Sequence, residues 1–496
     1  MSAEHTTVAE LASDSGVVFG TSGARGLVSA MTDRVCHGYT TGFLQFMMEE
    51  GAWSPGARVA LAGDLRTSTP RILRACAQAV SDLGGVPVFC GLVPTPALAT
   101  WAFQVCIPSL MVTGSHIPDD RNGIKFFRPQ GEVLKSDETG VLRQRVGPGH
   151  GRWTDDGALV DPPALLQTAD INQVYLARYV DVFGSSALSG LRLGIYQHSA
   201  VGRDLLVEIF SALGAEVLPL GRANKFIPVD TEAVRQEDTM LAQQWTRELG
   251  LDAIVSTDGD SDRPLLADHN GTWIRGDVLG IMCAWALGAQ SVVTPVSSNT
   301  VAESCGAFGK VHRTRIGSPY VIATMNGAIN AGERLVCGYE ANGGFILGSD
   351  VTLNAHVLRA LPTRDAVLPM IAALIAARPG RLADLAGTLP PRFTHSDRLL
   401  DFSARRLNEL MEWMQWQGEE RANQHLDETF GQIAGAAMVD RCDMDGLRLT
   451  FANKRIIHLR GSGNAPELRC YTEAETNAAA EQLCNAILVW VAKHFP

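Results

Sequence analysis

No C-x-x-C pair occurs among the ten cysteines, which are scattered from Cys36 to Cys484. That spacing argues against zinc and dithiol motifs, and with mostly apolar neighbours the thiols are expected to be buried and reduced. Basic residues are in deficit: 42 Lys and Arg face 53 Asp and Glu, a formal net charge of -11. Such a balance gives no overall attraction to nucleic acid or to an anionic membrane, so neither is expected as a partner. Long hydrophobic runs are missing too. The longest candidate, Ala366 to Ala377, contains Pro369 and falls short of the roughly 20 apolar residues of a spanning helix. The opening stretch MSAEHTTVAELASDSG lacks the basic start and continuous apolar core of a secretory signal. The expectation is a cytoplasmic protein.

What the chain does have is ample core material. Its 496 residues, 46% hydrophobic and 19% charged, have the composition of a globular protein and exceed what one hydrophobic core supports. Three segments share a pattern of short β-rich run, turn, amphipathic stretch, and second apolar run after glycine: ARVALAGDLRTSTPRILRACAQAVSDLGGVPVFCGLVPTP, LRLGIYQHSAVGRDLLVEIFSALGAEVLPLG and QSVVTPVSSNTVAESCGAFGKVHRTRIGSPY. In the first, Thr69-Pro70 predicts a helix cap with a first-turn proline, and Gly84-Gly85 predicts its end. Strands alternating with helices predict βαβ units in mixed, mostly parallel sheets, hence three related α/β domains. The last hundred residues or so read as strands joined by a turn and one closing amphipathic helix, a smaller α+β domain. Polar and Pro-rich joints place the domains at 1–165, 166–272, 273–385 and 386–496.

Four loops carry the chemistry. In TGSHIPDDRNGIK, Ser115 follows the apolar IPSLMV, where a strand should end, and open α/β sheets bind ligands at such ends. His116 and Lys125 are candidates for positioning or protonating a phosphate, with Asn122-Gly123 as the turn that returns Lys125. A structural Ser-His pair on a surface loop is the plain alternative. The glycines of a serine-hydrolase elbow are missing, with Thr113 and Ile117 in their places.

In LDAIVSTDGDSDRPLLAD an apolar strand delivers Asp258, Asp260 and Asp262 at alternate positions. That spacing lets three oxygens converge on one hard cation, more readily Mg²⁺ than Ca²⁺ when protein oxygens are few and a phosphate is near. A solvated acidic turn is the alternative, and an EF-hand does not fit, with Arg263 and His269 at its glycine and glutamate positions. CGYEANGGFILG offers Glu340 and Asn342 to sugar hydroxyls or, equally, a hairpin turn at Asn342-Gly343. LRGSGNAPELRCYTEA places Arg460, Ser462, Gly463 and Asn464 in a nest-like loop suited to a phosphate dianion, with Arg469 behind it.

Taken in order, the four loops, together with FGTSGARG at Phe19–Gly26, resemble the α-D-phosphohexomutases, the family of phosphomannomutase and phosphoglucomutase, across nearly the whole chain. TGSHIP resembles the family's T-A-S-H-N-P loop, DGDSDR its D-G-D-G-D-R metal loop, YEANGG its G-E-x-S-G sugar loop, and RGSGNAP its R-x-S-G-T-E-P phosphate loop. The resemblance implies three α/β domains and a fourth, smaller one around a central cleft. It also implies a phosphoserine at Ser115 and one Mg²⁺ on Asp258, Asp260, Asp262 and a phosphoserine oxygen. Substrate contacts would come from Glu340, Asn342, Arg460, Ser462, Gly463, Asn464 and Arg469.

The implied reaction interconverts hexose 1-phosphate and hexose 6-phosphate through a 1,6-bisphosphate, which also serves as activator, with a slight lean to mannose. Mg²⁺ and Arg263 offset charge on the transferring group, and Arg25, Lys125 and His116 contact phosphate or move protons. The phosphosugar is the expected partner, to a monomer or homodimer. Departures from the family pattern are Gly114 for alanine, Ile117 for asparagine, Asn342 for serine, and Asn464-Ala465 for Thr-Glu. Rival readings are phosphoglucomutase or phosphoglucosamine mutase on the same fold, a phosphatase using Asp258 as nucleophile, and a phosphosugar-binding protein without catalysis. The phosphatase pattern wants Thr or Val at the position of Asp262 and leaves the serine loop unexplained.

Overall fold

The computed structural model describes residues 5–20, 23–147, 149, 151–415, 418–462 and 466–496. By its internal contacts the chain divides into two compact bodies, Met1–Val293 with Gly317–Ala386, and Thr294–Ile316 with Gly387–Pro496.

The first body holds three α/β sheets. The first runs Val18–Phe19, Gly23–Leu27, Arg121–Arg128, Ser109–Val112, Arg58–Gly63, Val86–Leu92. Arg58–Gly63 is parallel to both its neighbours and buried at every position after the first, which is why it reads as the unbroken apolar run VALAG. From Ser109–Val112 outward the pairings are antiparallel, so this sheet is mixed. Helices Asp33–Glu49 and Thr69–Asp82 contribute Tyr39, Phe43, Ile72 and Leu73 to its core.

A second sheet orders Glu216–Arg222, Arg192–His198, Ala253–Thr257, Pro264–Ala267, the first three parallel and the last a hairpin partner. In a third, Ser291–Pro295 lies parallel to Val336–Tyr339, which continues antiparallel to Phe345–Leu347 and Leu361–Asp365. The fold is thus α/β with a mixed sheet in each unit, and the second body supplies the smaller α+β domain. That domain has five antiparallel strands in the order Phe393–Leu399, Leu468–Ala474, Ile456–Gly461, Leu447–Phe451, Met438–Cys442, with the closing helix Asn477–His494 on them.

Three local expectations are corrected. Thr69 does not cap its helix; it is the first helical residue, and its hydroxyl donates to Asp64 Oδ1 at 2.8 Å. Asn122-Gly123 is not a turn but part of strand Arg121–Arg128. A Cβ on Gly123 would lie 2.7 Å from the Ala24 carbonyl oxygen, so this glycine permits close strand approach. The third repeat keeps only a single helical turn, Val301–Ser304, followed by Gly306 at φ +68°. Its segment belongs to the second body, where Thr300 donates its backbone N–H at 2.9 Å and its hydroxyl to Glu473.

The ten cysteines form no disulfide; Cys106 is exposed and seven are buried. Among the described residues, no helix is long and apolar enough to cross a membrane.

Two buried histidines set an acid limit on stability. His198 donates Nε2–H to the Thr257 carbonyl at 2.8 Å, and His458 donates to the Asp445 carbonyl at 2.5 Å. Burial pushes each down to about 4, more strongly than any neighbouring charge acts. The unfolded chain therefore takes up protons first. This stability is complete above pH 6.5 and drains as pH falls toward 4, the loss reaching ~3 kcal/mol per histidine below that. Urea midpoints measured at pH 7 and pH 4.5 are expected to fall, and to fall less in His458→Gln.

Candidate active site

Ser115 lies three residues beyond strand Ser109–Val112, fully buried, with φ +56°. A non-glycine residue in the left-handed region has to be held there by its surroundings. Thr113 Oγ1 accepts the Ser115 N–H at 2.7 Å and itself donates to Asp64 Oδ2 at 2.7 Å. Arg66, also fully buried, donates to the carbonyls of Ser115 and Ile117 through Nη2 (3.0 and 2.6 Å) and of Pro118 and Arg121 through Nη1 (2.7 and 3.0 Å). Its Nε turns back to Asp64 Oδ2 at 3.2 Å, and its plane stacks on Phe226 with 3.8 Å to the ring centroid.

This packing explains Gly114. A Cβ there would lie 2.6 Å from Arg66 Cζ, so glycine stands where the guanidinium occupies the space.

The acidic loop closes the hairpin between Ala253–Thr257 and Pro264–Ala267, with Asp258 N–H on the Arg263 carbonyl at 3.1 Å. It is a turn, but not a solvated one: Asp258, Asp260 and Asp262 are fully buried, and one carboxylate oxygen of each lies within 4.8 Å of the others. Ser115 Oγ donates to Asp258 Oδ2 at 2.5 Å. Thr95 Oγ1, at the start of helix Thr95–Gln104, donates to Asp260 Oδ2 at 2.5 Å. Lys125 Nζ bridges Asp260 Oδ2 and Asp262 Oδ2, both at 2.6 Å.

Among the described residues, Asp260 Oδ1 and Asp262 Oδ1 are buried without a hydrogen bond. Arg263 Nε lies 3.8 Å from Asp262 Oδ1, beyond hydrogen-bond distance; buried carboxylate oxygens without a hydrogen bond are costly, so this donor set fits a hard divalent cation. Burial and the charges of Asp260 and Asp262 hold the Asp258 carboxyl well above the usual range. For Asp262, burial acts in the same direction, but the charges of Arg364, Lys125 and Arg263 outweigh it and keep it below.

Arg263 Nη1 donates to His116 Nδ1 at 2.9 Å, and that nitrogen stands 3.4 Å from Ser115 Oγ. Burial, followed by Arg263 and Arg25, lowers His116 well below its ordinary value, so the ring is neutral with its proton on Nε2. The side chain of Arg25, in strand Gly23–Leu27, forms no hydrogen bond or ion pair among the described residues. Burial and the like charge of Arg263 bring it down to about 10.

Glu340 and Asn342 occupy the hairpin between Val336–Tyr339 and Phe345–Leu347. The turn reading holds there: Gly343 sits at φ +87°, and Asn342 Oδ1 accepts the Gly344 N–H at 2.9 Å. Glu340 accepts from Arg364 Nη1 at 3.1 Å.

The first body thus brings together Ser115, His116, Lys125, Arg25, Arg263, the three aspartates, Glu340 and Asn342. Arg460, Ser462 and Arg469 belong to the second body, and Gly463 and Asn464 lie outside the described residues. There Arg460 pairs with Asp445 at 3.2 Å. Glu467 accepts the Ser462 N–H on its carbonyl at 2.9 Å, and its carboxylate lies 3.8 Å from Arg469. Asp64, Arg66, Thr95 and Arg364 are site residues that sequence reasoning missed. Asp64 and Arg66 were signalled by the strand end VALAGDLR, whereas Thr95 and Arg364 carry no local signal.

Four family models match in chain order: the phosphoglucomutase/phosphomannomutase alpha/beta/alpha domains I, II and III over residues 16–147, 173–271 and 275–393, and the C-terminal domain over 414–488. The chain belongs to the phosphoglucomutase/phosphomannomutase family. A phosphomannomutase of Salmonella muenchen is 43% identical over 477 residues, spanning 95% of this chain and 94% of the relative. One from Sinorhizobium fredii (strain NBRC 101917 / NGR234) is 43% identical over 474 residues, spanning 94% and 97%. The crystal structure of a phosphoglucomutase/phosphomannomutase family protein from Burkholderia thailandensis covers 94% of each chain with a TM-score of 0.71 at 19% identity, which shows the common fold. This phosphohexomutase is accordingly an enzyme that moves a phosphoryl group.

Proposed function

We propose that this phosphohexomutase interconverts mannose 1-phosphate and mannose 6-phosphate, with Ser115 as the phosphoryl carrier and a hexose 1,6-bisphosphate as intermediate and activator. The observation that carries the reading is the 2.5 Å hydrogen bond from Ser115 Oγ to Asp258 at the edge of a buried triad of carboxylates. The preference for mannose is supported by the two phosphomannomutases that resemble the chain over nearly its whole length.

Phosphoserine 115 gives its phosphoryl group to the free hydroxyl of a bound hexose phosphate: the bond from phosphorus to Ser115 Oγ breaks as the bond to the sugar oxygen forms, and the hydroxyl's proton ends on Ser115 Oγ. In the return half, Ser115 Oγ attacks the other phosphate of the bisphosphate as the bond from that phosphorus to its sugar oxygen breaks, and the serine proton, leaving along the hydrogen bond to Asp258, ends on the departing sugar oxygen. Mg²⁺ held by Asp258, Asp260 and Asp262 would supply a positive charge that offsets the phosphoryl oxygens. Arg25, Arg263 and the Nε2–H of His116 offer donors to the same oxygens, and Lys125, bridging Asp260 and Asp262, offsets the repulsion between their carboxylates. Glu340 and the Asn342 amide nitrogen take sugar hydroxyls. Arg460, Ser462, Gly463, Asn464 and Arg469 take the phosphate that is not transferred.

Two outcomes are expected. Chelation with EDTA stops turnover and added Mg²⁺ restores it, while Asp260→Asn raises the Mg²⁺ concentration needed by about 10-fold or more. Followed by ³¹P NMR with a trace of the matching 1,6-bisphosphate, mannose 1-phosphate converts to its 6-phosphate faster than glucose 1-phosphate does. Faster glucose turnover makes the enzyme a phosphoglucomutase, and inorganic phosphate as sole product overturns the mutase reading.

A further inference from the structure

Arg364 lies on strand Leu361–Asp365, 3% exposed, and its guanidinium joins two loops that are far apart in the chain. Nε donates to Asp262 Oδ2 at 3.0 Å, and Nη1 donates to Glu340 Oε2 at 3.1 Å. The contact is built rather than incidental. A Cβ on Gly344 would fall 2.4 Å from Arg364 Cδ, so the sugar-side hairpin is hollowed to admit the side chain. Ser318 Oγ stands 3.4 Å from Nη1 and donates onward to Glu132 Oε2 at 2.8 Å, while Thr363 Oγ1 donates to Glu132 Oε1 at 2.6 Å. The backbone beneath is pinned as well. Asp365 accepts from the hydroxyls of Tyr175 at 2.8 Å and Tyr179 at 2.6 Å, and its Oδ1 takes the Val367 N–H at 3.0 Å.

Each bridged carboxylate has one oxygen taken by Arg364 and one without a hydrogen bond among the described residues: Asp262 Oδ1, with the Arg263 guanidinium 3.8 Å away, and Glu340 Oε1. A planar fork gripping one oxygen of each carboxylate sets the direction of the other. We propose that Arg364 is a positioning residue that couples the two half-sites, aiming Asp262 Oδ1 at the cation and Glu340 Oε1 at the sugar. The coupling rests on the assignment, made above, of Asp262 to the metal and Glu340 to the sugar. Because one rigid group orders both carboxylates, occupancy of either half-site favours the other, and the effect is reciprocal.

The test is a thermodynamic cycle on the full chain. Mg²⁺ binding is measured by calorimetry with and without saturating hexose 6-phosphate, in wild type, Arg364→Gln and Arg364→Lys, with circular dichroism as the check on folding. In wild type the sugar phosphate tightens Mg²⁺ about 5-fold or more. In Arg364→Gln that factor falls to one, and KM for the sugar phosphate rises about 10-fold. The compact ammonium of Arg364→Lys keeps the charge and recovers part of the KM but not the coupling. Equal coupling in wild type and Arg364→Gln, or no coupling in wild type, overturns the proposal. A wild type that binds Mg²⁺ but turns over no hexose phosphate strikes the mutase reading instead, and the two failures are told apart by the turnover assay.

Discussion

Ser115→Ala is expected to lower mutase turnover by about 10⁴-fold or more, since removing the group that forms the covalent intermediate removes both half-reactions at once. Binding should survive. The side chain is small and fully buried, and its loop is held by the Thr113 hydroxyl and the Arg66 guanidinium acting on backbone atoms that the substitution leaves in place. Stability should change little, and calorimetric affinity for the hexose 6-phosphate should stay within a few-fold of wild type. Loss of rate with retained affinity separates a phosphoryl carrier from a residue that merely shapes the loop. The variant should also release Asp258 from its 2.5 Å hydrogen bond without opening the carboxylate triad, so Mg²⁺ binding is expected to persist.

The second large effect is expected at Arg66. Arg66→Ala removes a donor from the carbonyls of Ser115, Ile117, Pro118 and Arg121 and leaves Asp64 as a buried carboxylate without its ion pair. Breaking a buried pair of this kind costs about 3–5 kcal/mol. Asp64 is already pushed up by burial, and Arg66 is the largest of the influences opposing that shift. The denaturation midpoint should drop sharply, and turnover in whatever remains folded should fall about 10²-fold as Ser115 leaves its left-handed conformation. Gly114→Ala approaches the same contact from the other side with a milder disturbance. Its new Cβ meets Arg66 Cζ at 2.6 Å, an overpacking of about 1–3 kcal/mol that displaces the serine loop while leaving Asp64 and Arg66 present. Reduced turnover in a folded Gly114→Ala protein, with Mg²⁺ affinity intact, would place the defect in the serine loop.

These two residues also show what can be read from the chain and what cannot. Ser115 and the three aspartates stand just beyond strands whose apolar runs are plain in the sequence, so the sheet's own geometry carries them to the site. Arg66 sits in an equally visible strand-to-helix junction, but nothing local says that its side chain will run under a loop about fifty residues away and fix glycine at 114. Arg364 reaches Asp262 and Glu340 only because the third sheet brings its strand beside both hairpins.

The misread turn at Asn122-Gly123 has the same origin. An Asn-Gly pair favours a tight turn in isolation, yet here Asn122 donates to Ser68 Oγ at 2.9 Å and Gly123 admits a neighbouring strand, so tertiary packing overrides the local preference. Glu467 is a comparable case. Its carbonyl accepts the Ser462 N–H, and its carboxylate lies 3.8 Å from Arg469 of the following strand.

The most direct test of Ser115 as phosphoryl carrier is phosphopeptide mapping of the purified enzyme after brief incubation with Mg²⁺ and mannose 1,6-bisphosphate, quenched in acid. Stable phosphate on Ser115, absent from Ser115→Ala and discharged by mannose 6-phosphate, is the predicted result. Turnover with no phosphate on Ser115, or a labile acyl phosphate on Asp258, would contradict it.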